Sequence, residues 1–145
     1  LGLVLNRPST RSLEPLFPEW LTPGMTSPKV FVGGPVQPDG LLALVPTVAD
    51  LPGGNKITEQ VSLLDLEVET AMGEVDIEAV RFYFGYSGWS PGQLRLEIEE
   101  GAWWIFDSAP EEFNCDPSDC WRVVLARQRS AARLLSNYPD EAYLN

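Results

Sequence analysis

The 145-residue chain contains no histidine. This removes the side chain that most often serves as a general base near neutral pH, and the commonest metal ligand with it. Cysteine occurs twice, at Cys115 and Cys120. Two cysteines make no disulfide framework, so free thiols in a reducing cytoplasm are the expectation. A Cys-x4-Cys pair without histidine or a second pair is also a poor zinc signature. Cations are scarce: 10 Lys and Arg face 21 Asp and Glu, for a net charge of −11. Such a chain repels phosphate backbones overall, and nucleic acid is not expected as a partner. Arg122, Arg127, Arg129 and Arg133 come nearest to a basic stripe, but they are spread around one expected helix. No apolar run approaches the roughly 20 residues of a spanning helix, and no signal peptide is visible. No membrane partner is therefore expected.

What is present is concentrated in Phe84-Gly85-Tyr86-Ser87-Gly88-Trp89-Ser90-Pro91-Gly92-Gln93-Leu94. Before it, Val80, Phe82 and Phe84 alternate with Arg81 and Tyr83, which is strand periodicity. Gly85 and Gly88 permit a sharp turn. Ser90 precedes Pro91, a favoured first helical residue, and Gln93 lies three residues on, so Ser90–Gln93 reads as a capping box. Trp89 and Leu94 occupy the positions of a hydrophobic staple. Gly101 is placed to end a helix over roughly residues 90–100. Helix starts after shaped turns often hold ligands; a purely structural elbow is the competing reading.

Elsewhere the pattern is coarser. Residues 1–5 read as a strand buried on both faces, broken by Pro8. Residues 12–17 read as a short helix and residues 29–32 as a strand ended by Gly33-Gly34-Pro35. Pro38-Asp39-Gly40 signals a turn before a strand at 41–45, so a hairpin with the strand near Val30 is expected. Residues 52–55 read as a loop, 61–68 as a strand with Asp65 and Glu67 on its polar face, and 70–78 as an acidic connection. Trp103 to Phe106 reads as another strand. Asp116 is placed to cap a long helix from Pro117 to Leu135. Hairpin-like pairs mixed with strand–helix–strand order predict an α/β (α+β) fold, a mixed sheet flanked by helices in one domain over residues 1–145.

Three catalytic schemes fail on these residues. Gly85-Tyr86-Ser87-Gly88-Trp89 resembles a nucleophile elbow, but Trp89 stands where the second glycine belongs, and no histidine is present to act as base. Glu97, Glu99 and Glu100 sit on what reads as a solvated helix face rather than in a metal cluster. No Gly-x-x-x-x-Gly-Lys-Ser/Thr loop exists. A binding constellation remains. Asn6, Arg7 and Ser9 follow one strand, Gly33 and Gly34 a second, and Tyr86, Ser87 and Trp89 a third, with Gln93 at the helix start. If these ends converge, Arg7 supplies a fixed cation, and the start of the helix favours anions. Alternatively Arg7 pairs with a buried acid such as Asp107, while Asn6 and Ser9 merely shape the turn.

The chain resembles the YqgE/AlgH family of bacterial proteins. The resemblance rests on Gly2-Leu3-Val4-Leu5-Asn6-Arg7-Pro8-Ser9, Val32-Gly33-Gly34-Pro35-Val36, the Phe84–Leu94 stretch, Ala102-Trp103-Trp104 and Asp119-Cys120-Trp121-Arg122, in family order across nearly the whole chain. It implies a mixed sheet curled towards a pseudo-barrel. It also implies that the family's N-terminal strands, with a histidine, precede the first motif and are lacking here. The family's regulator label, drawn from a link to polysaccharide production, brings no biochemical activity with it. The function expected first is a non-enzymatic binding or accessory module for an anionic small molecule or a protein segment, without cofactor or metal. The alternatives are an enzyme whose base lies in the preceding segment and, third, a transcriptional regulator.

Overall fold

The computed structural model describes residues 1–14, 16, 29–46, 54–66, 75–109 and 111–138. The sequence expectations for Phe17, for Pro52 and Gly53, for Glu67 and Val68 and for residues 70–74 lie outside the described residues. The chain divides into two compact units, Leu1–Leu94 and Arg95–Asn145.

The first unit is a mixed sheet of five strands among the described residues: β1 (Lys29–Val32), β2 (Val36–Pro46), β3 (Gly54–Thr58), β4 (Val61–Leu64) and β5 (Arg81–Tyr86), with a short 3-10 turn at Ile77–Ala79. Their order is β1-β5-β2-β4-β3, so the sheet is open rather than closed into a barrel. β1 and β5 run parallel, with Val30 opposite Phe82, and the other pairs are antiparallel. β5 lies between β1 and β2, and all five residues from Arg81 to Gly85 are buried. The alternation seen at Val80–Phe84 therefore marks two covered faces, not one wet and one dry. Val80, Phe82 and Phe84 join Leu13, Ala43, Val45 and Leu64 in one apolar cluster. Tyr83 and Arg81 take the other parity, where the Tyr83 ring stacks on Phe31 at 5.3 Å.

Several expectations are corrected in this unit. Pro38-Asp39-Gly40 forms no hairpin turn; it lies inside β2, where the register against β5 shifts between Val36 and Leu41. A bulge absorbs the turn residues, with Gln37 at φ 45° carrying the bend. Residues 1–5 form one isolated bridge, Gly2 with Ser87, rather than a doubly buried strand; Leu1 is 77% exposed. Gly54 and Asn55, read as loop, open β3. In the stretch expected as a helix at 12–17, Leu16 N–H donates to the Leu13 carbonyl at 2.9 Å and closes a turn, while Pro15 and Phe17 lie outside the described residues.

Among the described residues the helices are α1 (Gln93–Glu99), α2 (Glu111–Asn114), α3 (Cys120–Ala126) and α4 (Ala132–Leu135). Gly101, at φ 78°, ends α1 as expected. Its N–H bonds the Ile98 carbonyl, and Ala102 N–H bonds that of Glu97, a Schellman closure. Trp103 to Phe106 is not a strand. The long helix expected from Pro117 is two short ones. Pro117 to Asp119 form a turn whose Ser118 N–H and hydroxyl both donate to Asp116 Oδ1, at 2.9 and 2.6 Å. These bonds hold the Asp116 carboxyl below its ordinary pKa. At the break, the Gln128 amide donates to the Val124 carbonyl at 2.7 Å and takes the place of a helical N–H.

The cysteines also depart from expectation. Cys115 and Cys120 are joined in a disulfide, with their Cα atoms 5.4 Å apart. The turn between α2 and α3 brings the two sulfurs together, which the count of two cysteines did not show.

Candidate functional site

The three loops singled out in the sequence do meet, and they meet through backbone. The opening segment lies along the outer edge of β1. Ser9 N–H donates to the Val30 carbonyl (2.9 Å), Val32 N–H to that of Arg7 (2.8 Å) and Val4 N–H to that of Gly33 (2.9 Å). Gly2 and Ser87 exchange two bonds of 2.8 Å, and Gly33 N–H reaches the Phe84 carbonyl at 2.8 Å. Residues 2–9, 32–34 and 84–87 thus form one hydrogen-bonded layer at the edge of the sheet.

The glycines are what allow this approach. A Cβ on Gly34 would stand 2.2 Å from the Tyr86 carbonyl carbon, and one on Gly33 2.3 Å from the Gly85 oxygen. Gly85 adds a positive φ of 68°. Gly33 and Gly34 therefore serve close backbone packing. Gly2 lies beneath the Trp89 ring, 3.0 Å from where its Cβ would stand.

The polar members divide into committed and open groups. The Ser9 hydroxyl accepts from Arg11 N–H at 3.1 Å and shapes its turn. Gln93 Oε1 accepts from both the N–H and the hydroxyl of Ser90, at 3.1 and 3.0 Å, so Gln93 closes the start of α1. Asn6 is half-buried in the turn before Arg7, and Tyr86 and Ser87 are half-buried at the end of β5. Arg7 is exposed, and its guanidinium has no partner among the described residues. The buried ion pair considered for it has no support here. The neighbouring Arg11 differs: it donates to the Pro38 carbonyl at 2.7 Å and to Asp39 at 3.1 Å, and it lies over the Phe84 ring at 3.7 Å.

Sequence reasoning missed the two polar residues inside β5. Arg81 is buried, its guanidinium 5.1 Å from the Phe31 ring centre. The enclosed Tyr83 hydroxyl has no hydrogen-bond partner among the described residues. Burial raises the Tyr83 pKa above its ordinary value, while the nearby Arg81 charge opposes that shift. The only signal was their place in a run flanked by apolar residues, which reads as strand periodicity and does not place them. Among the described residues no group of three potential metal ligands forms, and no helix is long and apolar enough to cross a membrane.

A glycine-packed edge layer on an open mixed sheet, followed by a capped helix, defines an α+β protein. The family model described as AlgH-like (DUF179) matches residues 1–133, and the chain belongs to that family. A UPF0301 protein of Streptomyces coelicolor is 35% identical over 156 residues, covering 100% of this chain and 79% of the relative. A UPF0301 protein of Mycobacterium tuberculosis is 35% identical over 151 residues, covering 100% and 75%. The solution structure of the AlgH protein from Pseudomonas aeruginosa aligns with a TM-score of 0.68 at 28% identity, over 97% of this chain and 78% of that one. A crystal structure from Corynebacterium diphtheriae aligns with a TM-score of 0.74 at 22% identity, over 92% and 73%, and supports the fold.

Proposed function

We propose that the chain is a non-enzymatic binding module whose edge layer receives an anionic group, a carboxylate or phosphate carried by a small molecule or a protein segment. The observation that carries this reading is Arg7. It stands exposed, with no side-chain partner among the described residues, on a backbone fixed by hydrogen bonds on both sides of it, while Arg11 is tied down within the same segment. A guanidinium presented on a rigid backbone loses little conformational freedom on binding and offers a planar fork to an oxyanion. Tyr86 and Trp89 supply aromatic surface on the same layer. The chain has no histidine, and Ser87 stands in a broken elbow, so the layer has acceptors and donors but no evident base.

The test is a thermal-shift panel of phosphate, sulfate, citrate and a phosphopeptide, run on the unchanged chain and on Arg7→Met. A ligand stabilises according to its occupancy. Saturable stabilisation that Arg7→Met abolishes is the expected result. Stabilisation that survives Arg7→Met removes Arg7, and with it this reading.

A further inference from the structure

α1, which runs from Gln93 into the second unit, buries none of its residues, although it carries leucine and isoleucine. Leu96 is 59% exposed, and Ile98 is exposed with it. After the Schellman turn the chain runs on through Trp103, Trp104 and Ile105, also exposed, with Ile105 at 67%. Trp103 Nε1 donates to Glu97 Oε2 at 2.8 Å, and this bond holds the extended run back against the helix that precedes it. The helix and the extended strap are thus tied together at Trp103, and both carry exposed apolar side chains. Scattered exposed apolar residues are ordinary, but a local group of five is not.

The charge around this surface is one-sided. Between residues 95 and 112 there are six carboxylates and one guanidinium. Glu99, Glu100 and Asp107 are exposed, and their carboxylates have no ion-pair partner among the described residues. A second copy of the chain would set the same carboxylates against one another, and an anionic membrane surface would be repelled by a chain of −11. A segment that alternates apolar side chains with lysine or arginine satisfies both features. Its apolar side chains cover Leu96, Trp104 and Ile105, and its cations meet Glu99, Glu100 and Asp107.

We infer that this helix-and-strap surface is a docking site for a cationic amphipathic segment of another protein. The mode is an amphipathic segment laid on an apolar face, with apolar anchors giving affinity and the acidic rim giving orientation and rate. It does not depend on Arg7 or on the edge layer.

The probe is a short fluorescent helical peptide of leucine and lysine, with a leucine–glutamate peptide as counterpart, titrated by anisotropy against the whole chain. Saturable binding of the lysine peptide alone is expected. Trp104→Ser combined with Ile105→Ser leaves every charge in place and should weaken binding by about tenfold or more, as loss of central anchors does. Glu99→Gln combined with Glu100→Gln should weaken it by only a few fold and flatten its salt dependence. Circular dichroism should show both variants folded, because the altered side chains are exposed. Equal binding of the two peptides overturns the inference, as does full binding by the serine variant, which would reduce the effect to charge alone. A dimer that the serine substitutions dissolve, seen by sedimentation, would assign the surface to a second copy and overturn it too.

Discussion

The two units are held together by different means. In Leu1–Leu94 the central strand β5 is buried along its length, and one apolar cluster joins strands β2, β4 and β5. In Arg95–Asn145 the buried apolar residues among those described are few, Phe113, Cys120 and Leu125, while Leu96, Trp104, Ile105 and Leu134 are exposed. What binds that unit is largely cross-linking. Arg127 pairs with Glu112 and reaches the Asp107 carbonyl, Arg122 donates to the Ser136 and Tyr138 carbonyls at 2.8 and 2.6 Å, and the disulfide joins α2 to α3. A unit built on burial is sensitive to volume, whereas a unit built on cross-links is sensitive to chemistry. A substitution should therefore be judged by the burial and contacts of its site, not by residue type.

The largest expected effect tests that rule directly. Phe82→Ala should cost roughly 3–5 kcal/mol, because a fully buried ring leaves a cavity. Leu96→Ala should stay within about 0.5 kcal/mol, as exposed substitutions do. Gly34→Ala belongs with the first: its methyl would meet the Tyr86 backbone, which cannot move aside, and the loss should be about 3 kcal/mol or more. Gly88→Ala meets only side-chain atoms at 3.6 Å and should be near neutral. Denaturant melts of the four variants measure all of this. Equal losses for Phe82→Ala and Leu96→Ala would erase the distinction between the units.

Next in size is the disulfide. Closing a loop of so few residues removes unfolded-state freedom worth about 2 kcal/mol in the chain-entropy model. Cys115→Ser with Cys120→Ser should lower stability by that amount, and a reducing agent should do the same to the unchanged chain but nothing to the double variant. If proteolysis is used as readout, the new cleavage should fall in the second unit and leave the sheet intact.

These contrasts also show what the sequence made legible. Periodicity located most of β5, Gly33-Gly34-Pro35 marked the end of β1, and the Ser90–Gln93 spacing with Gly101 located α1 and a cap that forms. These features are local: each is set by side chains within one turn or one strand. The reading failed wherever a distant partner decided the outcome. Pro38-Asp39-Gly40 has the composition of a turn, but pairing with β5 pulls it into a bulged strand. Trp103 to Phe106 has the composition of a strand, yet the Glu97 bond fixes Trp103 beside a helix instead. Arg81 alternates like a solvent-facing residue, and only the placement of β5 between two neighbours buries it. In the candidate site, the sequence posed the convergence of the three loops only as a condition, and the close approach their glycines allow is seen in the structure. That Ser9 and Gln93 are engaged in local caps and Arg7 is not depended on geometry that spacing does not carry.

A smaller effect probes the buried face of β5. The Tyr83 phenol has a folded pKa raised above 10.0 by burial. Below that pH it is neutral in both states and contributes no pH dependence. Above it the unfolded chain loses the proton first, so stability falls as pH rises towards the folded value. Melts between about pH 9 and 11 should show that fall, and Tyr83→Phe should make it shallower. Identical slopes for the two chains would mean that water reaches the phenol and that this face of the sheet is not closed.

The smallest change in stability is the one expected at Arg7, and its value lies in the pairing with Arg11. Both are arginines of one short segment at the edge of the sheet. Arg11→Met breaks a bond to the Pro38 carbonyl, an ion pair with Asp39 and a cation–π contact with Phe84, and should cost about 1 kcal/mol. Arg7→Met breaks no side-chain bond among the described residues and should stay within about 0.5 kcal/mol. In the anion panel the order should reverse: Arg7→Met loses the stabilisation by ligand, and Arg11→Met keeps it. A loss of 3 kcal/mol or more in melts of Arg7→Met, on the scale of a stranded buried partner, would show that the guanidinium is structural. The binding reading would then lose its cation, while the packing argument for Gly33 and Gly34 would stand unchanged.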